Sequence, residues 1–237
     1  MRRAVFGVGE YYHVYNRGVE KRDVFMSRRD YERFLFDMYA MNDRRPFLNS
    51  QFHYRGLTSI ERLAERRHAR GGRHPWQKLV DIVCFCLLPN HFHFILRQAI
   101  EGGISLFMQK LGTAYTMYFN ERNARTGGLF QGTYKAKHVA SDRYFLPLTR
   151  YIHLNPLDLL DPGWKERGVG KGREAQRFIV DYPWSSYADF IGTARFPRIV
   201  ENDLTSKLVG SPRHYQEYVS RFRVADLGAI SDLTIEV

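Results

Sequence analysis

Two histidines separated by a single residue, His91 and His93, stand inside an apolar stretch that runs from Leu87 to Leu96. Successive side chains of a β-strand point to opposite faces, so a strand here places both imidazoles on one face and Phe92 and Phe94 on the other. The stretch is short and rich in aromatic and aliphatic residues, which favours a strand over a helix. Two imidazoles on one strand face can bind a metal ion or act as an acid–base pair. The alternative is a pair of structural histidines in the core.

A second pair of candidate residues, Tyr151 and Asn155, is spaced four apart in a stretch that predicts a helix. This spacing places both on one helix face, where Leu148 and Ile152 would dock the helix on a sheet. A phenol has a pKa of about 10 and is a weak nucleophile unless it is activated. A metal ion held by two histidines and an asparagine oxygen could orient a phosphate group in line with the phenol. The alternative for Tyr151 is a half-buried tyrosine at the rim of the helix.

The elements that must position these side chains follow from the apolar periodicity. Strands and helices alternate around a central hairpin that turns at Pro89-Asn90, which excludes an all-parallel sheet. The pattern predicts an α+β fold of the ferredoxin-like split β-α-β type, with a central antiparallel sheet and helices on one face. Strands are predicted at Tyr11–Arg17, Leu79–Leu87, His91–Leu96 and Thr133–Val139, and helices from Arg28 to about Asn42, from Ile104 to Glu121 and from Ser141 toward Asn155.

The last of these helices contains Pro147, which fits only a first helical turn or a kink, so the helix could start as late as Leu146. His153 falls on the helix side opposite Tyr151 and is expected at the surface or facing DNA. The domain prediction is a main domain over residues 1–187, with a basic insertion at 44–77, and a helical extension over 188–237. Within the insertion, Ile60 to Arg70 could form a basic surface helix.

The composition limits the class of partner. The chain has 237 residues, 15% aromatic residues and a formal net charge of +11. Such a charge favours an anionic partner, and positive charge interleaved with aromatic rings suits single-stranded nucleic acid. An anionic membrane is the weaker candidate, because no run reaches the roughly 18 apolar residues of a membrane helix. The cysteines are Cys84 and Cys86, expected as core residues, which fits a reducing cytoplasm.

Basic residues near the candidate site in sequence are expected to contribute to a DNA surface, although they could also form an ordinary solvated face. They are Arg17, Arg122, Arg125, Lys135, Lys137, Arg143 and Arg150.

An ordered set of motifs resembles the REP-associated tyrosine transposases, which belong to the HUH (His-hydrophobic-His) single-tyrosine transposases. The resemblance spans about Tyr11 to Tyr187. The motifs are Tyr12-His13-Val14-Tyr15-Asn16-Arg17-Gly18, Leu88-Pro89-Asn90-His91-Phe92-His93, Gly132-Thr133-Tyr134-Lys135, Arg150-Tyr151-Ile152-His153-Leu154-Asn155-Pro156 and Trp184-Ser185-Ser186-Tyr187.

The resemblance implies roles for four residues. Tyr151 matches the nucleophile, which forms a 5′-phosphotyrosine link and releases a 3′-OH. His91, His93 and Asn155 match the ligands of a divalent metal ion, Mg²⁺ or Mn²⁺, although imidazoles also suit Zn²⁺. The implied substrate is single-stranded DNA, often folded into a hairpin from a repetitive palindrome, and the implied assembly is a monomer or a homodimer.

Two other functions stay open from the sequence. A chain of this kind could bind hairpin DNA or RNA without cutting it, although the complete set of four residues speaks against that. A weaker alternative is a metal-dependent hydrolase that uses a histidine-bound water and does not depend on Tyr151.

Overall fold

The fold is organised around a four-stranded antiparallel sheet, seen in a computed structural model that describes residues 5–45, 56–69, 76–169, 172–201, 207, 209–228 and 230–231. The strands occur in the order β2-β3-β1-β4, as a split β-α-β arrangement requires. All four predicted strands are present, with small shifts at their ends. They are β1 (Tyr11–Arg17), β2 (Val80–Leu88), β3 (His91–Gln98) and β4 (Lys135–His138).

Two helices cover one face of the sheet. Helix α1 spans Arg28–Ala40 and α3 spans Gly103–Arg122, close to the predicted limits. Phe92 and Phe94 of β3 point into this layer and pack in one apolar cluster with Phe34 of α1. Phe92 and Phe94 therefore face an apolar core opposite the histidines, as the alternation along the strand predicts.

The opposite face of the sheet is covered as well, which corrects the prediction of helices on one face. Helix α4 (Asp142–Leu154) packs there through Leu148 and Ile152, in a second apolar cluster that also contains Val83 and Ile95. Strand β2 is buried at every position, so it needs apolar cover on both sides. The expected docking of Leu148 and Ile152 on the sheet is confirmed.

Helix α4 begins at Asp142 and ends at Leu154, so Pro147 lies beyond the first turn and the later start at Leu146 is wrong. Proline lacks an N–H, so the helix loses one backbone hydrogen bond there. The chain then continues as a 3-10 helix over Asn155–Leu159.

The shorter helices that follow are α5 (Trp164–Arg167), α6 (Gly172–Asp181), α7 (Tyr187–Phe190), α8 (Pro212–Ser220) and α9 (Ala225–Gly228). Several of these helices cover α4. Tyr215 and Val219 of α8 belong to the same apolar cluster as Leu148. None of the described helices is long and apolar enough to cross a lipid bilayer.

The basic insertion contains helix α2 (Thr58–Ala69), where the sequence indicated a helix from Ile60. Ile60 and Leu63 are buried in the first apolar cluster, so one side of this helix packs on the protein. Residues 46–55 and 70–75 of the insertion lie outside the described part of the chain. The domain limits proposed from the sequence remain a prediction.

Candidate active site

His91 and His93 lie on the sheet face that α4 covers. Their rings are 5.1 Å apart between centroids and nearly perpendicular. In the antiparallel register, Arg17 of β1 stands opposite His91 and Tyr15 opposite His93, so these residues share that face. His93 is fully buried, and His91 is 7% exposed.

Helix α4 brings Tyr151 to this pair. The rings of Tyr151 and His93 meet edge to face with centroids 5.8 Å apart, and Tyr151 is 4% exposed. Asn155 follows one turn later and is fully buried, and its Nδ2 donates to the backbone oxygen of Tyr151 at 2.8 Å. That bond leaves the Asn155 Oδ1 atom as an acceptor for another group.

Three atoms of these residues are buried yet have no hydrogen-bond partner within the described part of the chain: His91 Nε2, His93 Nε2 and Asn155 Oδ1. Leaving such atoms without a partner costs about 1–3 kcal/mol each. All three are ligand atoms of the kind that hold divalent metal ions, so this donor set fits a cation. Among the described residues, no group of three His, Cys, Asp or Glu side chains is arranged to hold a metal ion, so the set depends on the amide oxygen as its third donor.

The surroundings keep both imidazoles neutral, which is the form that binds metal. Burial lowers the pKa of His91 to about 3, and the positive charges of Lys165 and Arg17 act in the same direction. Burial also lowers the pKa of His93 well below its ordinary value, as do the neighbouring histidines and Lys165. Proton competition for these ligand atoms is therefore weak at neutral pH.

Two residues beside the site were not identified as functional candidates from the sequence. His13 of β1 is fully buried, and its Nε2 lies 2.9 Å from His93 Nδ1. The alternation of β1 could have placed His13 on this face, but only once the strand pairing was known. Lys165 of α5 has its Nζ 5.6 Å from the centre of the Tyr151 ring and forms a 2.8 Å ion pair with Asp158. Nothing local in the sequence indicates that contact.

His153 corrects an expectation, because it is fully buried and not at the surface. Its Nδ1 is 2.7 Å from the hydroxyl of Tyr215, and its Nε2 is 2.9 Å from Ser186 Oγ. The helix side opposite Tyr151 is occupied by α8 and by the segment before α7. Burial lowers the pKa of His153 to about 3, so the ring is neutral in the core.

The proposed DNA-binding residues fall into two groups. Lys135 and Lys137 of the first group are exposed on β4 and stand opposite Tyr15 and His13, which puts them on the same sheet face as the histidine pair.

Two arginines complete the first group. Arg17 is half-buried, and its Nε donates to Gln131 at 2.8 Å. Arg143 is exposed beside the ring of Tyr144 at the start of α4.

The second group has structural contacts. Arg122 pairs with Asp30 of α1 at 3.5 Å, and Arg125 bonds Asn120 and the loop carbonyl of Gly128, so both belong to the layer across the sheet from the histidines. Arg150 is the clearest correction. It is 6% exposed, pairs with Asp226 at 2.9 Å and packs over aromatic rings of α8 and its C-terminal end, so it fastens α4 to the C-terminal helices.

Comparisons with known proteins identify a family whose match includes the four candidate residues. The family model described as "Transposase IS200 like" matches residues 38–155, an interval that contains His91, His93, Tyr151 and Asn155. No curated protein matches the chain. A solved structure titled "Structure of the REP associates tyrosine transposase bound to a REP hairpin" is similar at 12% identity, with a TM-score of 0.46, over 84% of this chain and 88% of that one.

Proposed function

Because this chain belongs to the IS200-like transposase family, we propose that it is an enzyme that cuts and rejoins single-stranded DNA through Tyr151. Family membership confirms the kinship that the motifs indicated. What supports the proposal is the buried Tyr151 ring packed edge to face on His93, together with three buried metal-ligand atoms of His91, His93 and Asn155 that lack partners within the described residues. Binding of DNA alone would not require this costly arrangement.

In the proposed reaction, the Tyr151 oxygen attacks the phosphorus of a phosphodiester in the DNA strand. The phenol loses its proton, an O–P bond forms, and the bond from phosphorus to the 3′ oxygen breaks. The 3′ oxygen takes up a proton and leaves as a 3′-OH, while the 5′ side stays joined to Tyr151. Attack by another 3′-OH reverses these bond changes and rejoins the strand, so no further reactant is needed.

The residues that would hold the metal ion are His91 through Nε2, His93 through Nε2 and Asn155 through Oδ1. Mg²⁺ or Mn²⁺ bound there would polarise the scissile phosphate and orient it toward the phenol. Lys165, whose Nζ lies 5.6 Å from the centre of the Tyr151 ring and pairs with Asp158, would help to hold the phosphate beside the phenol.

The proposed substrate is a DNA hairpin of the repetitive palindromic type, on the basis of the motif resemblance to REP-associated transposases. Exposed Lys135 and Lys137 extend the face of the histidine pair to the free edge of the described sheet, and the net charge of the chain is +11. We propose that a single DNA strand lies along this edge of the sheet. The protein would bind it as a monomer or as a homodimer.

Incubation of the protein with an end-labelled DNA hairpin that has single-stranded flanks tests this function. With Mn²⁺ we expect a protein–DNA adduct that survives denaturation, and with a chelator we expect no adduct, because the phosphate then lacks its cation. A protein that only binds would give a salt-sensitive mobility shift and no adduct. A hydrolase would give free 5′-phosphate ends, and either result would refute the proposal.

The lysines of β4 give a separate prediction. Replacing Lys135 and Lys137 together with glutamate should weaken binding of unrelated single strands alike and reduce the salt dependence, by about 0.7 in the logarithmic slope for each DNA phosphate that is no longer neutralised. Titration at several salt concentrations measures both effects. The matched control is the double change Arg177→Glu and Arg213→Glu, which alters the net charge equally at two exposed positions of α6 and α8. Equal reductions in both variants would show a general charge effect and contradict a defined DNA path.

A further inference from the structure

The two histidines of the site each have a hydrogen-bond partner at the ring nitrogen that faces away from the proposed cation. His91 Nδ1 lies 2.6 Å from Asn90 Oδ1, and His93 Nδ1 lies 2.9 Å from His13 Nε2. His13 and His93 are fully buried, and their rings are stacked with centroids 5.2 Å apart. Neither Asn90 nor His13 has a role in the function proposed above.

The contact at His91 allows only one position for the ring hydrogen. The Asn90 Nδ2 atom donates to the backbone oxygen of Lys21 at 3.3 Å, which fixes the amide and turns its oxygen toward His91. An amide oxygen can only accept, so the hydrogen of the neutral His91 ring sits on Nδ1. The Nε2 atom of His91 therefore carries a lone pair.

The contact at His93 allows two positions for the hydrogen, because either imidazole nitrogen can donate it to the other. If His13 donates, a neutral His93 carries its hydrogen on Nε2, where no acceptor exists within the described residues. If His93 donates from Nδ1, its Nε2 keeps a lone pair that a cation can take up. Metal-bound histidines commonly donate their other nitrogen to an acceptor in this way.

We infer that Asn90 and His13 are positioning residues that hold His91 and His93 in the tautomers whose Nε2 atoms can bind the cation. The inference rests on the proposed role of this pair as metal ligands. It assigns a function to the histidine of the Tyr12-His13-Val14 motif and to the asparagine of Pro89-Asn90-His91. His13 acts from the neighbouring strand, and Asn90 acts from the hairpin turn.

Nitrogen NMR of the metal-free protein tests the tautomers directly, since long-range proton–nitrogen correlations show which ring nitrogen carries the hydrogen. We expect the Nδ1–H form at both His91 and His93 in the unaltered chain. His13→Phe removes the acceptor and should move His93 toward the Nε2–H form. His13→Gln, which keeps an acceptor oxygen, should restore part of the Nδ1–H form. An Nε2–H form of His93 in the unaltered protein would overturn the inference for His13.

Mn²⁺ binding by calorimetry gives a second readout. Loss of such a partner weakens metal affinity about 10- to 100-fold, and we expect this range for His13→Phe and for Asn90→Leu. Asn90 is half-buried in a turn, so its variant tests the idea even where His13→Phe does not fold. The control is His138→Phe, an exposed histidine of the same sheet that pairs with Glu10 and should leave affinity unchanged.

These measurements separate the inference from the proposed function. Unaltered Mn²⁺ affinity in folded His13→Phe and Asn90→Leu proteins would refute the positioning role, even where the adduct assay succeeds. A protein that shows both Nδ1–H tautomers but forms no adduct with DNA would refute the proposed function and leave the tautomer assignment in place.

Discussion

Replacing Tyr151 with phenylalanine is expected to abolish the covalent protein–DNA adduct, with a loss of more than about 10³-fold, because the variant lacks the attacking oxygen. The ring is 4% exposed and packs edge to face on His93, and phenylalanine keeps that packing. Mn²⁺ binding and hairpin binding should therefore stay close to those of the unaltered protein. A denaturing gel with labelled DNA measures the adduct, and calorimetry measures the metal.

Other tyrosines supply the controls for this result. Tyr118 donates to Asp30 at 3.0 Å in the layer across the sheet, so Tyr118→Phe should retain the adduct. Tyr15 lies closer to the site, with its ring 5.8 Å from that of His93, and its buried hydroxyl has no partner among the described residues. An adduct that persists in Tyr151→Phe and disappears in Tyr15→Phe would move the nucleophile to β1 and refute the role given to Tyr151.

Replacing His153 with alanine should produce a large loss of stability, about 3–5 kcal/mol in the free energy of unfolding. The change opens a cavity in the core and removes one hydrogen-bond partner each from the Tyr215 hydroxyl and from Ser186 Oγ. Chemical denaturation measures the loss. The matched variant His138→Ala removes an exposed histidine and should stay within about 0.5 kcal/mol of the unaltered protein.

The same histidine makes stability depend on pH. Burial lowers the pKa of His153 in the folded state to about 3, so between that value and the ordinary pKa of 6.5 the unfolded chain binds more protons. Stability should therefore fall as the pH drops from about 6.5 toward 3, and His153→Ala should make this fall less steep. An equally steep acid loss in the variant would place the titration elsewhere, for instance in His91 and His93.

Local patterns in the sequence were sufficient to predict the strand and the helix on which the candidate site residues lie. Alternation placed His91 and His93 on one face of β3, and a spacing of four placed Leu148 and Ile152 on the docking side of α4. Such patterns depend only on neighbours along the chain, so they survive without knowledge of the tertiary structure. The strand pairing that joins His13 to His93 is not local, and it was accessible only from coordinates.

Long-range contacts account for the errors. Arg150 was predicted on a DNA surface because it lies near the candidate site in sequence, and His153 was predicted at the surface because it falls on the helix side opposite Tyr151. Their partners, Asp226 and Tyr215, are more than sixty residues further along the chain, and no periodicity links such positions. A formal charge in a sequence says nothing about whether a carboxylate will pair with it in the core.

The contacts of His153 also bear on how the site is assembled between polypeptides. They join α4, the helix of the proposed nucleophile, to Ser186 and Tyr215 of the same chain, and Arg150 adds an ion pair to Asp226. Exchange of α4 alone with a second copy would break these buried contacts within the chain, because Ser186, Tyr215 and Asp226 would stay behind. We therefore expect Tyr151, the proposed nucleophile, to act together with His91 and His93 of its own chain, even where two copies bind one DNA.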